Sequence, residues 1–238
     1  MTLEVALQEI MASRRVLLGL DFDGTLAPLV DDPDLARADP GAETLLETLA
    51  DAGSVDVLIL SGRAHADLSA RVGTLPGVTL VGEHGNDSGQ SHEPVDFDDL
   101  DHLLAATEAD TPGSRVEHKP NSRAFHTRNS PADAAAMAQD ALRAWASGRE
   151  GVRVLAGKDI LELTIAESSK GDVIAGAFDE YDGVIYIGDD TTDETVFDVL
   201  RPHDIGIKVG EGETAARFRV PDVDAVVQVL ETITRLAL

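Results

Sequence analysis

Short apolar runs alternate along the chain with stretches of helical period. The runs VLLGLDF (16–22), VDVLIL (55–60), VTLVG (78–82), GVIYIG (183–188) and DIGIKVG (204–210) are predicted strands. Between the first two, Pro40 opens PGAETLLETLADAG, where Leu45, Leu46 and Leu49 share one helical face and Gly53 gives the stop. AHADLSARVG (64–73) and DETVFDVLR (193–201) follow later strands in the same way. Near-continuous apolar strands joined by amphipathic helices are the pattern of a parallel sheet covered on both faces, an α/β core.

Residues 87–162 have another texture. NDSGQSHEPVDFDDLDHLLAATEA reads as a polar loop and a helix, SRVEHKPNSRAFHTR as strands interrupted by polar residues, and 131–147 as an alanine-rich helix. GVRVLAGKDILELTI then reads as two strands around a turn at Gly157-Lys158. Helix, strands, helix, strands is the order of an antiparallel sheet with helices on one side. The expected organisation is therefore a core of residues 1–86 and 163–238 with an inserted α+β cap over 87–162. No internal repeat or low-complexity tract is present.

Composition narrows the function classes. With 238 residues, 43% of them hydrophobic, the chain can bury one large core and a smaller unit. A net charge of −25 disfavours nucleic acid and anionic membranes as partners, since both require clustered Lys and Arg. An anionic small substrate needs a local gathering of cations, and only Lys119, Lys158, Lys170 and Lys208 supply an ammonium, beside fifteen arginines. No apolar stretch approaches the ~20 residues of a membrane span. The opening MTLEVALQEI lacks the basic and apolar regions of an export signal, so a soluble, cytoplasmic protein is expected. The absence of cysteine removes disulfides, thiolate chemistry and Cys-ligated zinc.

In an open parallel sheet, ligands sit beyond the carboxyl ends of the strands, near the reversal of strand order. Those ends carry Asp21 and Asp23, then Ser61, then His84, then Asp189 and Asp190. Each motif alone has a plain alternative: DFDGT as solvated acids in a Gly turn, GDDTTDE as an N-cap with acids near a helix dipole. Their joint occurrence in this order points to a hard-cation site, because converging carboxylates are costly unless neutralised, and Mg²⁺ prefers oxygen ligands. A phosphate held there is open to attack by the Asp21 carboxylate. Asp23 is placed to protonate the leaving alcohol and later to deprotonate water. Ser61 and the Gly62 N–H suit phosphate oxygens, and Lys170 in SSKGDVI suits the phosphate and Asp21 as counter-ion.

Taken together, DFDGT, the Ser61 motif, Lys170 and GDDTTDE resemble the haloacid dehalogenase-like superfamily of Mg²⁺-dependent phosphatases over nearly the whole chain. The resemblance implies that Asp21 is the nucleophile and Asp23 the acid/base, and that Asp21, Asp189 and the Asp23 backbone carbonyl bind Mg²⁺. Asp193 would hold metal-bound water. Within that superfamily the chain is most similar to the trehalose-6-phosphate phosphatase family, through LDFDGTLAPLVDDPDLA (20–36), LSGR (60–63), GEHG (82–85), VEHK (116–119), GKDILEL (157–163) and GDDTTDE (188–194). This implies hydrolysis of trehalose 6-phosphate, with Glu117, Lys119 and Glu162 on the sugar hydroxyls, Gly62 and His84 among the substrate-binding residues, and a trehalose-6-phosphate synthase as pathway partner. His126 and Arg128 match the family pattern, or form a solvated strand face. The chain departs from the family at Asn86–Gly89 and in TIAESSKG (164–171), which bears on sugar preference. Two other readings stand beside this one: a phosphatase for another sugar phosphate or a glycosyl phosphoglycerate, and a non-catalytic sensor. The intact set Asp21, Asp23, Lys170 and Asp189 argues against the second of these.

A surface this acidic and lysine-poor fits either a salt-rich cytoplasm or a GC-rich genome. If salt is the cause, the melting temperature should rise strongly between low and molar KCl as self-repulsion is screened, and a flat thermal-melt response would remove that origin.

Overall fold

The computed structural model describes all residues except 74, 87–96, 120, 150–151, 158 and 166–167. The polar loop expected from residue 87, Lys158 of the expected turn and part of TIAESSKG lie outside the described residues. The chain divides into two units, Met1–Gly89 with Ser168–Leu238, and Gln90–Glu167. No helix among the described residues is long and apolar enough to cross a membrane.

In the first unit, α1 (Leu3–Met11) leads into β1 (Val16–Leu20), followed by α2 (Pro40–Ala52), β2 (Val55–Leu60), α3 (His65–Val72) and β3 (Val78–Val81). After the second unit, α6 (Lys170–Gly176), β8 (Gly183–Gly188), α7 (Thr191–Phe197), β9 (Ile205–Val209), β10 (Phe218–Val220) and α8 (Val223–Ala237) complete it. The strands form one sheet in the order β10-β9-β8-β1-β2-β3, and every pairing is parallel. From β1 the chain first builds towards β3 and later, from β8, towards the other edge. The reversal of order therefore falls between β1 and β8, where an open α/β sheet leaves a crevice.

Alternation along the strands explains why both faces are covered. Val16, Leu18 and Leu20 of β1, with Val57 and Ile59 of β2 and Ile185 and Ile187 of β8, join α1, α2, α3 and α8 in one apolar core. Leu17, Leu58, Leu60, Val184 and Tyr186 point the other way and pack with Ile174 of α6 and Val196 and Phe197 of α7. Period-two side chains with apolar residues on both faces give the continuous runs seen in the sequence. Gly19 pairs with Tyr186 across the β1–β8 register, and a Cβ there would lie 2.7 Å from the Tyr186 ring. The glycine leaves the space that this buried aromatic ring fills.

The second unit holds α4 (Asp98–Asp110), β4 (Arg115–His118), β5 (Ser122–His126), α5 (Ala132–Ala146), β6 (Arg153–Gly157) and β7 (Ile160–Thr164). Its sheet runs β4-β5-β7-β6, all antiparallel. Phe125, Leu161 and Leu163 pack against Leu100 and Leu104 of α4 and Leu142 of α5, so the two helices share one face of the sheet. The sequence edge at 162/163 falls inside β7, whose pairing continues to Thr164 opposite Ser122 and Arg153.

α1, α6, α8 and β10 were not read from the sequence, and α7 begins earlier than expected. β10 is an edge strand of three residues, too short to show a period. α8 is strongly amphipathic, with Val226, Leu230 and Ile233 buried. α7 begins at Thr191 rather than at 193, because Asp190 and Asp193 close a capping box that starts the helix two residues earlier.

Gly19→Ala should lower stability by about 1–3 kcal/mol, the usual cost of overpacking a tight core. Chemical denaturation of the variant checks this, and unchanged stability would contradict the close packing against Tyr186.

Candidate active site

Four strand ends meet at the crevice of the first unit. Asp21 is the residue after β1, and its N–H donates to the Ile187 carbonyl of β8 (2.9 Å), which carries the β1–β8 ladder one step past the strand. The chain then turns sharply: the N–H groups of Leu26 and Ala27 both donate to the Phe22 carbonyl. Gly24 takes φ +83°, a conformation that penalises any side chain, and a Cβ there would lie 2.2 Å from Asp189 Oδ2. The glycine of DFDGT thus lets the first loop approach the carboxylate that follows β8.

Asp21, Asp189 and Asp193 each offer an oxygen, all within 4.8 Å of one another. Lys170, the first residue of α6, donates to Asp21 Oδ1 at 2.6 Å and to Asp193 Oδ1 at 2.8 Å. Ser169 and Asp172 close a capping box that fixes the start of this helix and with it the lysine. Tyr186 of β8 donates its hydroxyl to Asp193 Oδ1 (2.7 Å), and the Asp190 N–H donates to Asp193 Oδ2 (2.9 Å). Lys208 of β9 donates to the Asp189 backbone carbonyl and lies 3.6 Å from Glu194. Lys119, Lys170 and Lys208, the lysines among the described residues, are all buried.

The charges do not balance. Lys170 stands against three carboxylates, and Asp189 Oδ1 is buried with no hydrogen-bond partner among the described residues. Burial, reinforced by Asp193 and Asp189 and opposed by Lys170, pushes the Asp21 carboxyl well above the usual range. Burial and the neighbouring Asp193 and Asp190 raise Asp189 to about 7. For Lys170, burial favours the neutral amine, but Asp193 and Asp21 outweigh it and keep the ammonium. A cluster of hard oxygen donors with one orphaned oxygen and surplus negative charge fits a divalent cation.

Asp23, two residues on from Asp21, turns its side chain elsewhere. Its carboxylate does not join the converging oxygens; both of its oxygens accept from Arg63, at 2.7 Å each. Ser61 follows β2, and its Oγ accepts from the Arg63 N–H (3.1 Å). Gly62 and His84 come together: a Cβ on Gly62 would lie 2.5 Å from the His84 ring. Glu83 and His84 hold φ of 45° and 55°, sparsely populated for residues with side chains. Their N–H groups donate to the Arg63 and Ser61 carbonyls (2.8 and 2.9 Å), so the GEHG turn is fastened to the SGR turn.

The sugar candidates lie in the second unit. Glu117, Ala124 and Glu162 occupy one row across β4, β5 and β7, which puts the two glutamates on the sheet face away from α4 and α5 with a small residue between them. Lys119 Nζ donates to Glu162 Oε2 (2.9 Å) and Ser122 Oγ to Glu162 Oε1 (2.5 Å). His126 Nε2 lies 2.9 Å from Glu117 Oε2. Burial would raise the Glu117 carboxyl, but His126 and Lys119 outweigh it and hold it below its usual value. His126 therefore belongs to this charged cluster rather than to a solvated face.

Arg63 and Tyr186 were not singled out from sequence, and Lys208 entered only as one of four possible ammonium groups. Arg63 was visible as part of SGR, but nothing in one dimension pairs it with Asp23. Tyr186 and Lys208 each stand inside an apolar run, where a polar side chain buried by its neighbours was the available signal.

A family model described as trehalose-phosphatase matches residues 19–224. A curated protein named trehalose-phosphate phosphatase, from Mycobacterium tuberculosis, is 35% identical over 252 aligned positions, which cover 95% of this chain and 62% of that protein. The chain thus spans about three fifths of the length of such relatives. The solved C-terminal domain of Candida albicans trehalose-6-phosphate phosphatase superposes with a TM-score of 0.85 at 24% identity, covering 99% of this chain and 97% of that one. A haloacid dehalogenase-like hydrolase from B. subtilis superposes with a TM-score of 0.64 at 13% identity, covering 90% and 98%, which is a likeness of fold.

Lys170→Met should destabilise the protein by about 3–5 kcal/mol, because it leaves Asp21 and Asp193 buried without their cation. Urea denaturation checks the loss, and added divalent cation should recover part of it; a variant as stable as its parent would refute the neutralising role.

Proposed function

The chain belongs to the trehalose-phosphatase family, and on that premise we propose that it hydrolyses trehalose 6-phosphate to trehalose and phosphate with Mg²⁺. The observation that carries the reading is the convergence of Asp21, Lys170, Asp189 and Asp193 at the sheet's reversal point, three carboxylates and one ammonium of the kind that phosphoryl transfer uses.

Asp21 acts as nucleophile. Its carboxylate oxygen bonds to phosphorus while the bond from phosphorus to the sugar oxygen breaks, and Asp23 gives a proton to that oxygen. Water then attacks the aspartyl phosphate, Asp23 takes its proton, and the Asp21 carboxylate leaves. Lys170 stabilises charge on the phosphoryl oxygens and on Asp21 throughout. Ser61 and the Gly62 N–H hold the remaining phosphate oxygens. Mg²⁺, when bound, neutralises charge on the phosphoryl group and helps to orient it.

Asp21, Asp189 and the Asp23 backbone carbonyl are the proposed Mg²⁺ ligands. Support comes from the unpartnered Asp189 Oδ1, and from Asp193, whose two oxygens already accept from Lys170, Tyr186 and the Asp190 N–H. Asp193 is thereby suited to hold metal-bound water and to fix Lys170. Glu117, Lys119 and Glu162 are the proposed sugar ligands: charged groups on one sheet face are what a polyhydroxylated substrate requires. In this reading the first unit is the catalytic body, the second the substrate-recognition cap, and a trehalose-6-phosphate synthase supplies the substrate.

Phosphate release should be fastest from trehalose 6-phosphate when compared with glucose 6-phosphate, sucrose 6-phosphate and glucosyl phosphoglycerate. It should stop on chelation of Mg²⁺ and in folded Asp21→Asn. Preference for another substrate of the panel would keep the chemistry and reassign the second unit; absence of turnover on all of them would refute the enzyme.

A further inference from the structure

The Arg63 guanidinium spends four N–H···O contacts on three segments. Nε and Nη2 donate to the two oxygens of Asp23 (2.7 Å each), Nη1 to Asp67 Oδ2 (2.7 Å), and Nη2 also to the Pro33 carbonyl (3.0 Å). Its side chain is 11% exposed and lies over the Phe22 ring at 5.7 Å. Asp67 in turn accepts from Arg71 at 2.6 and 2.9 Å, and Arg71 reaches the Asp34 carbonyl and carboxylate at 2.7 and 2.9 Å. Burial would raise Asp67, but its bonds to Arg71 and Arg63 hold it below the ordinary carboxylate range, so this anchor stays ionised.

Two parallel N–H···O bonds from a planar fork fix both the position and the plane of a carboxylate, which a single ammonium cannot do. The Arg63 backbone is fixed as well, by its N–H on Ser61 Oγ and its carbonyl under the Glu83 N–H. The geometry points to Arg63 as the positioning residue for the Asp23 carboxylate: it holds the acid/base in line from a support built on Asp67, Arg71 and the segment around Pro33 and Asp34. This rests on the phosphatase reading above and deepens it. Nothing in the role assigned to Asp23 requires Arg63 to touch the substrate.

The consequence is a dependence on the leaving group. A sugar alkoxide needs its proton as the bond breaks, whereas p-nitrophenolate leaves without one. Attack by water needs Asp23 for either substrate. Loss of alignment should therefore slow both steps with a sugar phosphate but only the second with p-nitrophenyl phosphate.

The test compares Arg63→Ala, Arg63→Lys and Arg71→Ala in the full chain with Mg²⁺. In Arg63→Ala, kcat on the sugar phosphate should fall about 100-fold, the scale of a roughly 1 Å misplacement, with little change in KM. The same variant should give a burst of one equivalent of p-nitrophenolate at the parent rate, followed by slow turnover, and added guanidinium should restore part of the steady state. Arg63→Lys keeps the charge without the fork and should remain impaired. Arg71→Ala touches Asp67 and Asp34 but not Asp23; it loosens the support and should lower kcat on the sugar phosphate less than Arg63→Ala does. Absence of the p-nitrophenolate burst at the parent rate, an unchanged or faster Arg63→Ala, or full activity in Arg63→Lys would overturn the assignment. If Arg63→Ala does not fold, Arg63→Lys decides. An inactive parent chain would overturn the phosphatase reading and this inference with it, whereas an active parent with an indifferent Arg63 overturns this inference alone.

Discussion

Lys170 brings its ammonium between Asp21 and Asp193 in a place with no room for bulk water, and most of the site is arranged around that contact. Neither carboxylate is tolerable alone at that depth, and neither is the lysine. The capping boxes at the starts of α6 and α7 now have a common purpose, since one fixes the donor and the other fixes an acceptor. Tyr186 completes the arrangement from behind, and Gly19 is small because the tyrosine ring needs its volume. A strand glycine that weakens β1 locally is thus part of how the charged site is built.

What the ammonium leaves unbalanced defines the rest of the chemistry. With three carboxylates facing Lys170 at the bottom of the crevice, the surplus of hard oxygen donors fits a divalent cation. In a strongly negative chain, Lys170 and Lys208 bring positive charge to this crevice. The second unit repeats the tactic on a smaller scale, with Lys119 against Glu162 and His126 against Glu117 on one sheet face.

The fold was legible wherever one period dominated. β2 and β8 begin and end where their apolar runs do: β8 is buried at every position and β2 at every position but Asp56. The short edge strand β10 carried too few residues to register, and the early start of α7 depended on a side chain folding back on its own backbone. Asp21, Lys170 and Asp189 were readable because each stands at the end of an element. The pairing of Asp23 with Arg63 was not, because forty positions separate them and only the parallel β1–β2 register brings their loops side by side. Tyr186 was hidden by its own neighbours, being one more large residue in an apolar strand until its hydroxyl finds Asp193.

The burial of Lys119, Lys170 and Lys208 has a practical consequence for handling the protein. In a chain with four lysines in all, reagents that acylate amines find few of their usual surface targets. Dyes, cross-linkers and resins aimed at lysine will couple poorly to these three side chains in the native state. Where they do reach one of these three buried side chains, the adduct marks molecules that had opened, so amine acylation becomes a clock for local unfolding rather than a means of attachment.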